Sequence, residues 1–376
     1  MLLAVTTVMN AAELSAQQSS GSQSSRLRIT NQCSYPIWIQ QDFIHTTNDP
    51  VVVQIKSNDS YDYNIPKAGL AATRFWPKAQ CNKYGYDCAI GESTGVPSAQ
   101  AVGHQTTQTV FDADINSKFE ATWGCLFSGS NASNCAANPS SNNGGKLDGW
   151  TYWDGSAVDG FTFAYKILVK GNNPQCFDQA TGSKLTDPTV DCSLLDPAEA
   201  PTTENLSTNG QYNTINGINV TSVNLQYTAF TDPSKIIGSF SPCSIMTSGQ
   251  WNGWAPKLGN LTPESDQAKM YCCPGDSVTS SQCSAGPAAS SEYDAAIHNT
   301  MKCDAYAYAF DDAKGLAKCD AAAQYEVVYC PGGKSLPLPA SPRTATTFCD
   351  PNTNPPQMCP NGNACPQCGL DSCPCP

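Results

Sequence analysis

Apolar positions along this chain alternate more often than they recur at helical spacing. RLRITNQCSYPIWI (26–39) places Leu27 and Ile29, then Ile37 and Ile39, on every second position, with a break near Asn31–Pro36. A period of two predicts two half-buried strands separated by a turn. VVVQIKSNDSYDYNI (51–65) and GFTFAYKILV (160–169) read the same way, and YEVVYC (325–330) reads as a closing strand. DAAIHNTMKCDAYAYAFDDA (294–313) is the best helix candidate, although its middle lacks a clean apolar stripe.

Between these elements lie two polar insertions, 128–146 and 196–218, rich in Asn, Ser, Thr and Pro. The N-terminal stretch reads as a signal peptide over 1–16, with an apolar run at Leu2–Met9 and small residues near Ala16, followed by a flexible polar segment at 17–25. The main domain spans 26–331. A Pro-rich linker follows at 332–348, and a Cys-rich tail at 349–376 holds six of the cysteines. No internal repeat of fixed period is present, and no apolar run reaches the roughly 18–20 residues of a membrane span.

Composition sharpens this picture. Only 14% of the 376 residues are charged, and the net charge is −12. An acidic chain is poorly suited to a polyanionic partner, which sets nucleic acid and anionic lipid aside. Twenty cysteines, an even number, favour an oxidising extracellular setting, either in solution or in a cell wall. Sequons at Asn58, Asn131, Asn205, Asn219 and Asn260 agree with it. The three histidines, His45, His104 and His298, show no ligand spacing, and neither a phosphate loop nor a Ser-His-Asp order is evident. No metal and no cofactor is expected.

Seven segments, in order, resemble the thaumatin-like family of osmotin, thaumatin and pathogenesis-related proteins: NQCSYPIW (31–38), AATRFWPKAQC (71–81), SKFEATW (117–123), YWDGSAVDGF (152–161), YCCPG (271–275), CDAYAYAFDDA (303–313) and YEVVYCP (325–331). The resemblance implies an all-β fold: an antiparallel β-sandwich with disulfide-rich loop subdomains and a short helix. It also implies six bridges, Cys33–Cys330, Cys81–Cys88, Cys176–Cys319, Cys192–Cys303, Cys243–Cys272 and Cys273–Cys283. Cys125 and Cys135 are left, on either side of a sequon loop, and are expected to pair as a replacement bridge. The chain departs from the family at GESTGV (91–96), where members carry a cysteine.

The family's acidic cleft maps onto Glu120, Asp154 and Asp159 as catalytic carboxylates, and onto Arg74, Asp311 and Asp312 as substrate-binding residues. Lys78 is the alternative to Arg74. Asp154 and Asp159 are five residues apart, which on a straight strand would put them on opposite faces; Asp159-Gly160 suggests a turn that brings both to one side. Clustered carboxylates push one pKa up and leave a protonated acid beside an ionised partner, as glycoside hydrolysis requires. Glu120 is expected as the acid, Asp159 or Asp154 as base or nucleophile, and Arg74 as the group that tunes them. Each also has a plainer reading, as a turn cap, a solvated strand residue or a structural ion pair. Trp150, Trp153, Trp251 and Trp254 are candidates for stacking on sugar rings. The insertion at 124–147 either folds over the cleft or hangs outside it. The tail's six cysteines form three disulfides, or hold zinc through Cys365-x2-Cys368 and Cys373-x-Cys375.

These readings converge on a secreted, monomeric protein that binds a β-1,3-glucan or related cell-wall polysaccharide, with weak endo-β-1,3-glucanase activity as a further implied property. The alternative is a non-catalytic defence, antifungal or inhibitor-type protein acting through its loops.

Overall fold

A computed structural model describes residues 25–42, 46–81, 85, 88–91, 115–141, 144–229, 232–247, 261–339, 348–349 and 373–374. The segment read as a signal peptide, His45, His104, Trp251, Trp254, the Asn260 sequon and most of the tail lie outside them. Among the described residues no helix is long and apolar enough to cross a membrane.

Two sheets carry the fold. The first has five strands in the order β10 (Thr189–Cys192), β8 (Tyr165–Lys170), β16 (Gln324–Tyr329), β1 (Leu27–Asn31) and β4 (Asp59–Tyr63). Its pairs are antiparallel except β1 with β16, which run parallel. The second has seven strands, all antiparallel, in the order β3 (Val52–Ile55), β2 (Ile37–Gln41), β5 (Leu70–Ala79), β6 (Lys118–Trp123), β7 (Trp150–Ser156), β15 (Ala317–Asp320) and β9 (Cys176–Asp178). Strands such as β1 and β3 bury alternate residues, β2 is buried throughout, and the inner faces of the two sheets meet in one core. Rings interlock across the gap. Tyr325 of the five-stranded sheet meets Trp123 and Trp153 of the other, with centroids 5.4 Å away in each case, and Tyr63 meets Phe75 at 4.9 Å. The buried Arg26 guanidinium joins the sheets at one end. It donates to the Gly124 carbonyl and the Thr151 hydroxyl and lies 5.4 Å from the Trp123 ring centre. The chain is thus an all-β, disulfide-rich sandwich, consistent with the thaumatin-like fold.

Seven disulfides are seen among the described residues between 33 and 330: Cys33–Cys330, Cys81–Cys88, Cys125–Cys135, Cys176–Cys319, Cys192–Cys303, Cys243–Cys272 and Cys273–Cys283. These are the pairs expected above. Cys243–Cys272 joins α1 (Pro242–Thr247) to α2 (Lys269–Cys272), Cys273–Cys283 joins the end of α2 to α3 (Ser280–Ser284), and Cys192–Cys303 ties β10 to the segment that follows them.

One expectation is corrected. The segment 294–313 is not one helix. Only α4 (Glu292–Ala295) and a π turn over 296–300 are helical; beyond them the Ala-Tyr-Ala-Tyr stretch runs through bends and a turn, with Phe310 at φ +67° and the Asp311 N–H donating to the Tyr308 carbonyl, and Tyr306 bridges in parallel to Ser156 at the end of β7. Packed structure also runs past 331 into the stretch read as a linker. Leu336 and Leu338 pack on the core, the Leu336 carbonyl accepts from the Tyr35 hydroxyl, and the Pro339 carbonyl accepts from the Gln80 amide.

Candidate functional site

The register of β5, β6 and β7 builds the site. Arg74 is the cross-strand partner of Glu120, and Glu120 is the partner of Asp154. Their chain neighbours Phe75, Phe119 and Trp153 point into the core, so these three side chains share the outer face of the seven-stranded sheet. Direct partners in an antiparallel pair have Cβ atoms about 5 Å apart. The Arg74 Nε lies 2.6 Å from the Glu120 Oε1, and these side chains keep 56% and 25% of their surface open.

Asp159 arrives by a turn. Gly160 donates to the Ala157 carbonyl and has φ +104°; a Cβ there would stand 2.1 Å from the Ser239 carbonyl oxygen, so the position requires glycine. The turn returns Asp159 to the same sheet face, where it pairs with Lys118, two residues before Glu120 on β6. The negative charge of Asp159 also acts on Arg74. Asp312 approaches from the other side: the Tyr306 hydroxyl donates to its Oδ1 at 2.6 Å, and the Tyr306 backbone N–H donates to the Gly155 carbonyl beside Asp154.

The electrostatics single out Asp154. Burial of its carboxyl, then repulsion from Glu120 and Asp312, holds it well above the usual carboxylate range against the pull of Arg74. Arg74 is in turn raised by the charge of Glu120. The outer face therefore carries a carboxyl held well above the usual carboxylate range beside a second carboxyl paired with a guanidinium.

Not every expected residue joins this group. Asp311 is 4% exposed and turns inward, where it accepts from the Ala307 N–H at 3.1 Å and meets the His298 Nε2 at 2.8 Å. The substrate contact expected of it is thereby corrected. Burial opposes charge on His298, but hydrogen bonds to Asp294, Asp311 and the Cys303 carbonyl outweigh it and raise the ring to about 10. Lys78 is fully buried and does not take the place of Arg74. Trp153 is also buried, with its indole N–H directed at the Cys319 Sγ, and has no ring face free for sugar. Trp150 is half-buried against Phe177, with the Lys318 ammonium 5.6 Å from its ring centre. It sits on the outer face four residues from Asp154, a distance of roughly 13 Å along the strand. The insertion docks at the far end of β5: Leu126 donates to the Lys67 carbonyl, Ala136 to the Ala68 carbonyl, and Leu147 packs with Ala71 and the Cys125–Cys135 bridge. These anchors precede Arg74 on the chain and do not cross the Arg74–Glu120–Asp154 row.

Lys118 and Tyr306 were missed in the sequence. Lys118 was legible through strand parity, two residues from Glu120. Tyr306 was hidden by the expected helix.

No protein-family model matches the chain, and neither does any curated protein. Among solved structures, the thaumatin-like xylanase inhibitor TLXI is similar at 14% identity and a TM-score of 0.25, over 39% of this chain and 77% of the inhibitor.

Proposed function

We propose that this is a secreted protein whose outer sheet face binds a cell-wall β-1,3-glucan and hydrolyses it slowly. The observation that carries the reading is the single cross-strand row Arg74–Glu120–Asp154, completed by Asp159 and Asp312. With Asp154 protonated, Arg74 and Lys118 offset two of the three carboxylates Glu120, Asp159 and Asp312, which leaves a single negative charge. The result is a dense array of donors and acceptors with little net field, which suits a neutral polyol better than an ion. The β-1,3-glucan class itself comes from the thaumatin-like resemblance.

Glycoside hydrolysis needs a carboxylic acid for the leaving oxygen and a carboxylate for the anomeric carbon or a water. Asp154 is the group whose surroundings keep the proton, so it takes the acid role that sequence reasoning gave to Glu120. Glu120, held by Arg74, serves as base or nucleophile, and Asp159 with Lys118 contacts the sugar. Seven disulfides favour an oxidising compartment, in keeping with secretion.

Laminarin tests this directly, by pull-down and by release of reducing ends from wild type, Asp154→Asn and Glu120→Gln. Wild type is expected to bind and to release ends slowly, with both variants binding but not cleaving. Binding without cleavage by clean wild type leaves the glucan module and removes the hydrolase. Absence of laminarin binding overturns the reading.

A further inference from the structure

The geometry points to a divalent-cation site, best suited to zinc, formed by Asp294, His298 and Asp311 beneath the loop that carries Asp312. One ligand atom from each residue lies within 4.8 Å of the other two. The His298 Nε2 stands 3.3 Å from the Asp294 Oδ1 and 2.8 Å from the Asp311 Oδ2. Tetrahedral zinc, with bonds of about 2.0–2.2 Å, holds its ligands roughly 3.3–3.6 Å apart, so only small side-chain shifts are needed.

Three further features favour a metal. Asp294 and His298 are four residues apart, and the chain between them widens into a π turn, a feature frequent at functional sites. The other ring nitrogen, Nδ1, lies 2.8 Å from the Cys303 carbonyl. With Nδ1–H donating to that oxygen, Nε2 is the nitrogen turned to the carboxylates, the outer-shell contact typical of metal-bound histidine. Finally, Asp311 and the His298 side chain are nearly closed to solvent, at 4% and 7% exposure, while Asp294 keeps 21% and leaves a path for the ion and a water. Among the described residues, no lysine or arginine forms an ion pair with Asp294 or Asp311. An imidazole and two carboxylates with one open position is a donor set that zinc accepts.

On binding, the two carboxylates and Nε2 bond to the cation, Nδ1–H stays on the Cys303 carbonyl, and any proton on Nε2 passes to solvent. The metal would tie α4 to the 303–312 segment, beside the residue that flanks Asp154. The inference stands independently of the carbohydrate reading.

The test is calorimetric titration of the oxidised full-length protein, stripped with chelator, with zinc chloride, alongside the visible spectrum of the cobalt(II) form. Expected are one site per chain and a tetrahedral cobalt spectrum, both lost in Asp294→Asn and His298→Gln. Affinity should fall by more than the roughly 10–100-fold that outer-shell losses cause. Asp294 is partly exposed, so Asp294→Asn is expected to keep the wild-type near-UV circular dichroism, which checks that the loss is not unfolding. No zinc binding by wild type leaves the triad as an imidazolium bridged to two carboxylates and overturns the proposal. Zinc binding that both variants retain assigns the ion elsewhere, the cysteine-rich tail included, and overturns it equally.

Discussion

Glu120 and Asp154 are direct cross-strand partners on β6 and β7, yet only Glu120 is bonded to Arg74. Two chemically similar carboxyl groups thus stand side by side in different electrostatic settings. Burial and the neighbouring negative charges keep the proton on Asp154, and the guanidinium limits how far that effect goes.

Replacing Arg74 with Met removes the one influence that pulls the Asp154 pKa down. The Asp154 titration, followed through its carboxyl carbon by NMR, should move further up. If Asp154 is the acid, the alkaline limb of laminarin hydrolysis should move up with it. Stability should change by less than about 1 kcal/mol, because Arg74 is about half open to solvent and water screens the pair. A fixed Asp154 titration would contradict the coupling.

Glu204 sets a separate pH dependence. It is almost fully buried and accepts N–H groups from Tyr293, Glu292 and Asn205, but burial outweighs them and raises it from 4.5 to about 7. A carboxyl raised on folding binds its proton more tightly in the native state, so its contribution is complete below about pH 4.5 and is lost as pH rises through about 7. The loss amounts to roughly 3 kcal/mol. Chemical denaturation at a series of pH values should show stability falling across that window in wild type and a flatter profile in Glu204→Gln.

The Cys33–Cys330 bridge spans 297 residues and sits at the end of the parallel β1–β16 pair, whereas Cys125–Cys135 spans 10. Loop entropy gives the long bridge about 6 kcal/mol and the short one about 3 kcal/mol. Unfolding of Cys33→Ser/Cys330→Ser should therefore occur at clearly lower denaturant than that of Cys125→Ser/Cys135→Ser. Equal midpoints would mean that the long loop is already constrained in the unfolded chain.

The strands were legible because alternation is a local signal: Leu27 and Ile29, or Tyr325 and Val327, declare their buried face directly. The row Arg74–Glu120–Asp154 was reachable only through the family resemblance, since its three members come from strands up to 80 residues apart and no local pattern sets their register. Asp311 and Asp312 show the limit most sharply. Adjacent acidic residues are equivalent in the sequence, but the turns around them point one to His298 and the other to Tyr306. The identity of the protonated carboxyl was likewise not legible, because it depends on burial and on which residue Arg74 reaches. The spacing of Asp294 and His298 by four residues is visible in the sequence, but their approach to Asp311 depends on the π turn and the turn after Tyr308.

Gly160 tests whether the turn after β7 positions Asp159. At φ +104° an alanine would meet backbone strain, and its Cβ would fall 2.1 Å from the Ser239 carbonyl, which itself accepts the Phe161 N–H. Gly160→Ala must therefore shift the turn or break that bridge, at a cost of roughly 2–4 kcal/mol. Because Asp159 is the residue just before it, the shift separates Asp159 from Lys118 without touching either side chain. The variant should lower the thermal midpoint and weaken laminarin binding together. Asp159→Asn, which leaves the turn intact, should weaken binding alone. If Gly160→Ala loses stability but binds laminarin as wild type does, Asp159 has no part in holding the sugar, and binding rests on the Arg74–Glu120–Asp154 row.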